Sequence, residues 1–293
     1  MEYIPAKTIV TKTKSGDWFG VDYNMNIYRG CCHGCIYCDS RSACYRIQDF
    51  DRVRAKKDAL MIIRDDLRRK VRTGVVGTGA MSDPYNPFEA ELRLSRNALE
   101  LLYAFHFGVA ITTKSTLVTR DVDVLQDIQK QSPILVQLTI TTAEDELCRK
   151  IEPGVPVSSE RFRALRTLAE GGIYCGVLLM PILPFINDTE DNVRTLVRLS
   201  YENGAKFIYP AFGMTLRTGQ REYYYRQLDA QFPGLREKYV ARYGERYHCP
   251  SPRAKRLYGI LAEECQRLGL RYRMRSIVED YKRGYAPPQL SFF

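Results

Sequence analysis

The spacing of three cysteines near the amino terminus is the feature of the sequence that points most specifically to one kind of chemistry. Cys31, Cys35 and Cys38 stand in the run YRGCCHGCIYC, with three residues between the first two and two between the last two. Three thiolates this close in sequence can occupy three corners of one iron–sulfur cube, which leaves the fourth iron without a protein ligand. A small molecule can bind that iron, and an electron passed through it can start radical chemistry.

Two other uses of these cysteines fit less well. A structural zinc site takes four protein ligands, usually from two separated pairs, and only the adjacent His33 or Cys32 stands close enough to complete such a group. A disulfide framework is disfavoured because nine cysteines in 293 residues form an odd and sparse set. We interpret the remaining cysteines as packed thiols, with Cys32 lying behind the loop.

The composition indicates one large α/β domain in a reducing compartment. Hydrophobic residues make up 45% of the chain, and no apolar run approaches the roughly 18–20 residues that a membrane span requires. The opening MEYIPAKTIVTKTKSG lacks the apolar segment of a targeting signal. We therefore expect a cytoplasmic protein without a membrane partner, a location that also suits an oxygen-sensitive cluster.

The positive charge is concentrated in the last quarter of the chain. Of the net charge of +10, residues 217–285 carry +8, and the same stretch holds ten of the twenty tyrosines. Basic side chains interleaved with aromatic ones suit a DNA or RNA strand, through phosphate contacts and base stacking. The alternative is a helical appendage whose Tyr and Arg stems pack on one another.

Hydrophobic periodicity predicts alternating strands and helices, which is typical of parallel βα units with right-handed crossovers. Helices are expected to start near Ser95, Asp121, Ser158 and Asp188 or Thr189. Beyond about residue 212 the alternation stops, PSPRAKRLYGILAEECQRLGL predicts one terminal helix, and APPQLSFF an irregular tail. The predicted strands cover 21–28, 75–79, 109–113, 134–141, 175–180 and 206–209.

The cysteine run resembles the CxxxCxxC motif of the radical SAM superfamily. The ordered set YRGCCHGCIYC, MSDPYNP, ITTKS, LTITT, IEPG and LLMPILPFIND resembles its spore photoproduct lyase-like branch, a DNA repair photolyase-like group, over about residues 20–215. The resemblance implies a [4Fe–4S] cluster, S-adenosylmethionine and a partial (β/α)6 barrel. The predicted organisation is an N-terminal segment at 1–19, the barrel at 20–215, and a helical, basic, Tyr-rich extension at 216–293.

The resemblance also implies cofactor contacts at the carboxyl ends of the strands, where barrels place their chemistry. Tyr37 matches an aromatic residue against adenine, and Ser82 and Asp83 match polar contacts near the methionine amino group. Lys114 matches a lysine that holds the methionine carboxylate, and Thr139 a hydroxyl near the ribose. The alternatives are loop packing for Tyr37, a turn for Asp83, a solvated Lys114 and an ordinary strand threonine.

One further residue matches the family pattern, and one position departs from it. Pro181, with its neighbours, would give adenine an apolar edge, although core packing produces the same composition. Photoproduct lyases carry a hydrogen-donating cysteine three residues before the Asp of the second strand, where this chain has Ala80. The lyase reaction therefore does not transfer directly. Cys249, isolated between turn-forming residues in YHCPSP, is a candidate replacement donor, with ordinary packing as its alternative.

Three functions remain open from the sequence. The first is a radical SAM enzyme acting on nucleic acid, and the second is the same chemistry on a small molecule or peptide, which Ala80 favours. The third is a non-catalytic protein that binds a metal or a cluster. For either enzyme, a flavodoxin- or ferredoxin-type protein is the expected electron donor. Three histidines without a recognisable nucleophile constellation leave hydrolytic mechanisms little support.

Overall fold

A computed structural model describes residues 1–285 of the chain, so the predicted tail APPQLSFF lies outside the described residues. Within these residues the strands are β1 (Glu2–Ile4), β2 (Val10–Lys12), β3 (Tyr23–Met25), β4 (Tyr28–Arg29), β5 (Arg54–Lys56), β6 (Val75–Thr78), β7 (Gly108–Thr113), β8 (Ile134–Thr139), β9 (Cys175–Ile182), β10 (Phe207–Thr215) and β11 (His248–Pro250).

The helices alternate with these strands through most of the chain. They are α1 (Ala59–Arg68), α2 (Glu89–Leu92), α3 (Leu94–Ala104), α4 (Val122–Gln129), α5 (Asp145–Ile151), α6 (Ser158–Glu170), α7 (Glu190–Glu202), α8 (Gln220–Gln231), α9 (Leu235–Tyr243), α10 (Ala254–Leu268) and α11 (Met274–Tyr281). Short 3₁₀ helices span Asp39–Arg41, Ala43–Tyr45 and Thr116–Asp121. None of the helices in the described part of the chain is long and apolar enough to cross a membrane.

The main sheet is the predicted partial barrel. Its spatial order is β11-β10-β9-β8-β7-β6-β3-β2, and the six strands from β3 to β10 in this sheet run parallel. The two edge strands β2 and β11 pair antiparallel with their neighbours. A second small sheet has the order β1-β5-β4. The α/β fold class and the six parallel strands expected from the sequence are confirmed.

Alternate residues of each strand face opposite sides of the sheet, as the period of two requires. One set packs outward under the helices, for example Val109 and Ile111 of β7. The other set faces the barrel interior, where Ala110 packs with Leu178 and Phe207. Both faces are covered, which explains why these strands read as continuous apolar runs in the sequence.

The segment after β10 completes the barrel rather than standing apart from it. β11 adds a strand to the main sheet, and α10 packs against α7, where Arg194 bonds Glu264 at 2.5 Å. Ile277 and Tyr281 of α11 join the interior cluster that also contains Phe19. The helical character of this extension agrees with the sequence, although α11 follows the helix expected to be terminal. The boundary at residues 215/216 remains a prediction.

One helix start differs from its predicted position, and for another the structure selects one of the two predicted caps. Helix α3 begins at Leu94 with Arg93 as its N-cap, because the Ser95 hydroxyl donates instead to the Pro84 carbonyl at 2.5 Å. Of the two candidates for α7, Thr189 is the cap, since its side chain accepts a hydrogen bond from the Asn192 amide. Asp188 instead accepts from the Phe185 amide and the Ser251 hydroxyl.

Candidate functional site

The cysteine loop is held by backbone hydrogen bonds to segments that are distant in the sequence. The Cys31 amide donates to the Phe50 carbonyl at 2.8 Å, and the Ile36 amide donates to the Ile151 carbonyl at 3.0 Å. Gly30 precedes the loop with φ +80°, and a Cβ there would lie 2.4 Å from the carbonyl oxygen of Arg52. The loop can therefore follow this path only with glycine at position 30.

Of the three thiols of the loop, those of Cys31 and Cys38 are half-buried and that of Cys35 is buried. Nowhere in residues 1–285 do three His, Cys, Asp or Glu side chains converge on a single metal ion. A cube does not need such convergence, because each thiolate binds a different iron. Burial, and then the Asp83 carboxylate, raise the pKa of Cys31 to about 12, and burial also raises the pKa of Cys35. A bound metal would favour the deprotonated thiolates over the thiols.

A cavity of about 590 Å³ lies beside the loop, at the carboxyl ends of the parallel strands. Its wall includes Tyr37 and Cys38 from the loop, Lys114 after β7, Thr139 at the end of β8, and Pro181 in β9. The volume is within the range of roughly 300–1,000 Å³ of small-molecule sites. The structure thus brings four of the six predicted cofactor contacts to one cavity next to a predicted cluster ligand.

Ser82 and Asp83 lie behind this wall. The Ser82 hydroxyl donates to the Gly30 carbonyl at 2.5 Å, and Asp83 accepts from the Thr113 hydroxyl at 2.6 Å and from the Lys114 amide at 2.8 Å. Neither residue lines the cavity. In the structure these two side chains tie β6, β7 and the cysteine loop together, so most of their hydrogen-bonding capacity is already used.

Lys114 is a half-buried cation on the wall of the cavity. Its Nζ lies 5.6 Å from the centre of the Tyr37 ring, and among the described residues no carboxylate oxygen lies within 4.0 Å of it. Burial lowers the pKa of Lys114, but Cys35, Glu152 and Cys38 raise it by more, so the ammonium stays protonated. A half-buried ammonium that no carboxylate contacts can form a charge-assisted hydrogen bond with an anion bound in the cavity.

Glu152, to which the sequence pattern gave no role, is hydrogen-bonded to the cysteine loop. It accepts a hydrogen bond from the Tyr37 hydroxyl and one from Arg161 Nη2 at 2.5 Å. Arg161 also donates to the Thr139 carbonyl at 2.7 Å. Burial raises the pKa of Glu152, but Arg161 and Lys114 lower it by more, so the carboxylate stays ionised. The only sequence signal was its place in the IEPG run.

The two residues relevant to hydrogen donation occupy different surroundings. Ala80 lines the cavity, so the position where photoproduct lyases have a cysteine carries only a methyl group here. Cys249 pairs with Met214 across β10 and β11, and it is fully buried. Its neighbours His248 and Pro250 line the cavity, whereas Cys249 packs in a cluster of buried tyrosines on the other side of the strand. The structure therefore does not bring this thiol to the cavity.

Much of the positive charge of the last quarter is balanced locally. Eight of the thirteen arginines in residues 217–285 have a carboxylate within 4.0 Å. Tyr224, Tyr239 and Tyr243 are buried against one another, with the Tyr224 hydroxyl donating to that of Tyr239 at 2.9 Å. This arrangement is the one expected if the Tyr and Arg side chains of a large part of the segment pack on one another instead of binding a nucleic acid.

The chain belongs to the radical SAM superfamily, whose family model matches residues 25–197. An uncharacterized protein of Mycobacterium tuberculosis is 29% identical over 248 residues, which cover 82% of this chain and 72% of the relative. An uncharacterized protein of Methanocaldococcus jannaschii is 35% identical over 191 residues, covering 64% of this chain and 69% of the relative. The family implies an iron–sulfur cluster and S-adenosylmethionine.

Solved structures identify the fold more closely. Spore photoproduct lyase in complex with dinucleoside spore photoproduct matches with a TM-score of 0.67 at 15% identity, covering 91% of this chain and 79% of that one. The radical S-adenosylmethionine methyltransferase TsrM of Kitasatospora setae, solved with tryptophan and a SAM analogue, has a TM-score of 0.54 at 14% identity, covering 84% and 51%. The fold is thus spore photoproduct lyase-like, as the sequence motifs indicated.

Proposed function

We propose that this protein holds a [4Fe–4S] cluster on Cys31, Cys35 and Cys38 and binds S-adenosylmethionine in the adjoining cavity. When bound, the pair supplies one-electron cleavage of the sulfonium–C5′ bond, which yields methionine and a 5′-deoxyadenosyl radical. The observation that carries the proposal is that Cys38, Tyr37, Lys114 and Thr139 share one cavity at the strand ends.

The residues present fit both groups. The loop offers three thiols at the spacing CxxxCxxC, and a cube binds each thiolate at a different iron. The Lys114 ammonium is half-buried on the cavity wall and would neutralise the methionine carboxylate. Thr139 and Pro181 line the same cavity, where the Thr139 hydroxyl would bond a ribose oxygen and Pro181 would give adenine an apolar edge. Tyr37 is held in place by its hydrogen bond to Glu152.

Nucleic acid is the substrate class that we propose for this chemistry. Support comes from the net charge of +10 and from the lyase-like fold, whose solved relative carries a dinucleoside. The second candidate is a small molecule or a peptide. It is favoured by Ala80, which leaves the cavity without the thiol that returns hydrogen in photoproduct lyases, and by the locally paired arginines. In either case we propose a flavodoxin- or ferredoxin-type electron donor.

Anaerobic reconstitution tests the proposal. The protein should take up four irons, change its cluster spectrum when S-adenosylmethionine is added, and release 5′-deoxyadenosine after reduction with dithionite. Cys35→Ala should abolish all three results, whereas Cys32→Ala, next to the first ligand, should retain them. Bound zinc, or a cluster whose spectrum ignores the sulfonium compound, would overturn the proposal. Single-stranded oligonucleotides should raise the yield if nucleic acid is the substrate.

A further inference from the structure

Trp18 is an exposed aromatic residue on the wall of the cavity, and it is the single tryptophan of the chain. It precedes β3, and its side chain is 40% exposed. The indole meets Phe19 at 5.0 Å and Tyr209 at 5.8 Å between ring centres, both at nearly 90°. Among residues 1–285 no ring stacks parallel to it, so the indole can accept a planar partner.

The backbone that presents Trp18 is tightly fixed. Phe19 has φ +48° and Gly20 has φ +62°, and a left-handed conformation is unfavourable for a bulky residue such as phenylalanine. Helix α11 and the residue that follows it hold this turn through two hydrogen bonds. The Tyr281 hydroxyl donates to the Phe19 carbonyl at 2.7 Å, and Lys282 Nζ donates to the Gly20 carbonyl. Strain retained next to a cavity is typical of a functional position.

Basic side chains lie in and beside the cavity around Trp18, together with the carboxylate of Asp39. Lys114 and His248 line the same space, and the His248 ring lies 4.3 Å from that of Tyr247. The Tyr247 ring in turn carries the guanidinium of Arg217 at 4.7 Å. Arg217 also lies 3.7 Å from the Asp39 carboxylate, and Lys114 is assigned to S-adenosylmethionine, so the exposed indole is the feature here that suits a substrate base. A carboxylate-rich or purely aliphatic substrate would gain less from the indole.

We infer that Trp18 is the substrate platform of this site, on which a nucleobase of a single-stranded oligonucleotide stacks. The inference rests on the proposed function and names the contact through which the substrate class is recognised. Stacking on an aromatic side chain tolerates any base, because every base has a π face. Recognition by Trp18 is therefore expected to depend on the presence of a base more than on its identity.

Fluorescence anisotropy with labelled oligothymidylate of ten nucleotides tests the inference on the cluster-loaded, S-adenosylmethionine-bound protein. Trp18→Ala should weaken binding on the order of 10-fold, and Trp18→Phe should retain most of the affinity. Tyr258→Ala, which removes another exposed ring on α10, should change nothing. An oligonucleotide of abasic sites should bind the native protein and Trp18→Ala equally, because it has no base to stack.

The emission of Trp18 gives a second readout, since no other tryptophan contributes. Oligothymidylate should quench it saturably, with a midpoint equal to the dissociation constant from anisotropy. Unchanged affinity of Trp18→Ala, the same loss on the abasic strand, or quenching by an aromatic peptide alone would each overturn the inference. Release of 5′-deoxyadenosine without substrate is measured in the same samples. Its absence from the native protein defeats the proposed function, whereas a native circular dichroism spectrum and iron content of Trp18→Ala confirm that the variant is folded and loaded.

Discussion

Arg161 of α6 donates a hydrogen bond to Glu152 at 2.5 Å, and both side chains are almost completely shielded from solvent. Through this pair the outer helix layer reaches the cysteine loop, because Glu152 also accepts from the Tyr37 hydroxyl. Arg161 at the same time fixes the end of β8 through the Thr139 carbonyl. Two walls of the cavity are therefore set by one buried ion pair.

Breaking this pair on one side should strongly destabilise the protein. Arg161→Leu leaves the Glu152 carboxylate buried without a counter-ion, and we expect a loss of about 3–5 kcal/mol in the free energy of unfolding. Urea denaturation of the metal-free protein under reducing conditions measures it. The double variant Arg161→Leu/Glu152→Leu should recover most of the loss, since no charge then remains buried.

An exposed ion pair provides the matched control for that experiment. Arg275 and Glu279 contact each other at 2.7 Å one helical turn apart, with side chains that are 90% and 60% exposed. Arg275→Leu should cost less than about 1 kcal/mol, because water screens and replaces the interaction. Equal losses for Arg161→Leu and Arg275→Leu would contradict the role that we assign to the buried pair.

Lys114→Met should weaken the binding of S-adenosylmethionine without destabilising the fold. Loss of a charge-assisted contact to the methionine carboxylate corresponds to roughly 10- to 100-fold in the dissociation constant. Equilibrium dialysis of the cluster-loaded protein measures it, with the exposed Lys130→Met as control. Because Lys114 is half-buried and has no carboxylate within 4.0 Å, its removal should change the free energy of unfolding by less than about 1 kcal/mol. Unaltered affinity would remove the carboxylate contact.

Asp66 links the N-terminal segment to α1 and should give the stability a pH dependence. Its carboxylate accepts from the amides of Ile9 at 2.7 Å and Val10 at 2.9 Å. Burial raises the pKa of Asp66, but these bonds and those from Thr8 and Arg69 lower it by more. Since the pKa is depressed in the folded state, the stabilisation is complete above the unfolded value of about 3.9 and fades as the pH falls through and below it.

Unfolding free energies measured between about pH 7 and 3 test this linkage. Asp66→Asn should be less stable at neutral pH and should lose less stability on acidification than the native protein. Asp127→Asn, at an exposed pair with Lys130, should follow the native curve. Parallel curves for the native protein and Asp66→Asn would show that the carboxylate does not favour the folded state.

The strand ends were predictable from the sequence, and the contacts between distant segments were not. Lys114 and Thr139 follow buried apolar strands, so a parallel barrel must bring them to the same edge. Ser82 and Asp83 stand at such an edge too, yet their short side chains bond to the loops behind the cavity. Local pattern places a residue at an end of the sheet but does not fix which side its polar atoms face.

Glu152 and Trp18 show what local pattern omits altogether. Glu152 meets Tyr37 across 115 positions of the chain, and no periodicity in either segment signals that contact. Trp18 belongs to the segment at 1–19, which the sequence left without a role. Its orientation depends on Phe19 in a left-handed conformation and on a helix more than 250 residues away. Such positions are set by tertiary contacts that only the folded chain reveals.

The last prediction concerns the two positions considered as the source of a hydrogen atom for the substrate, Cys249 and Ala80. Cys249 is a buried residue of β11, and burial raises the pKa of its thiol to about 11. We therefore expect this thiol to react slowly with iodoacetamide in the metal-free protein. The exposed Cys44 should react quickly, as should the thiol introduced by Ala80→Cys, since Ala80 is exposed on the cavity wall. Mass spectrometry of timed samples measures the three rates.

Activity provides the second half of that test. Cys249→Ala should release 5′-deoxyadenosine at the native rate while losing roughly 1 kcal/mol of stability, as expected for a small buried side chain. A reduced yield in Cys249→Ala, together with rapid alkylation of Cys249, would instead show that β11 moves and delivers this thiol to the cavity. With slow alkylation and a native yield, a hydrogen atom returned to the substrate must come from a group other than Cys249.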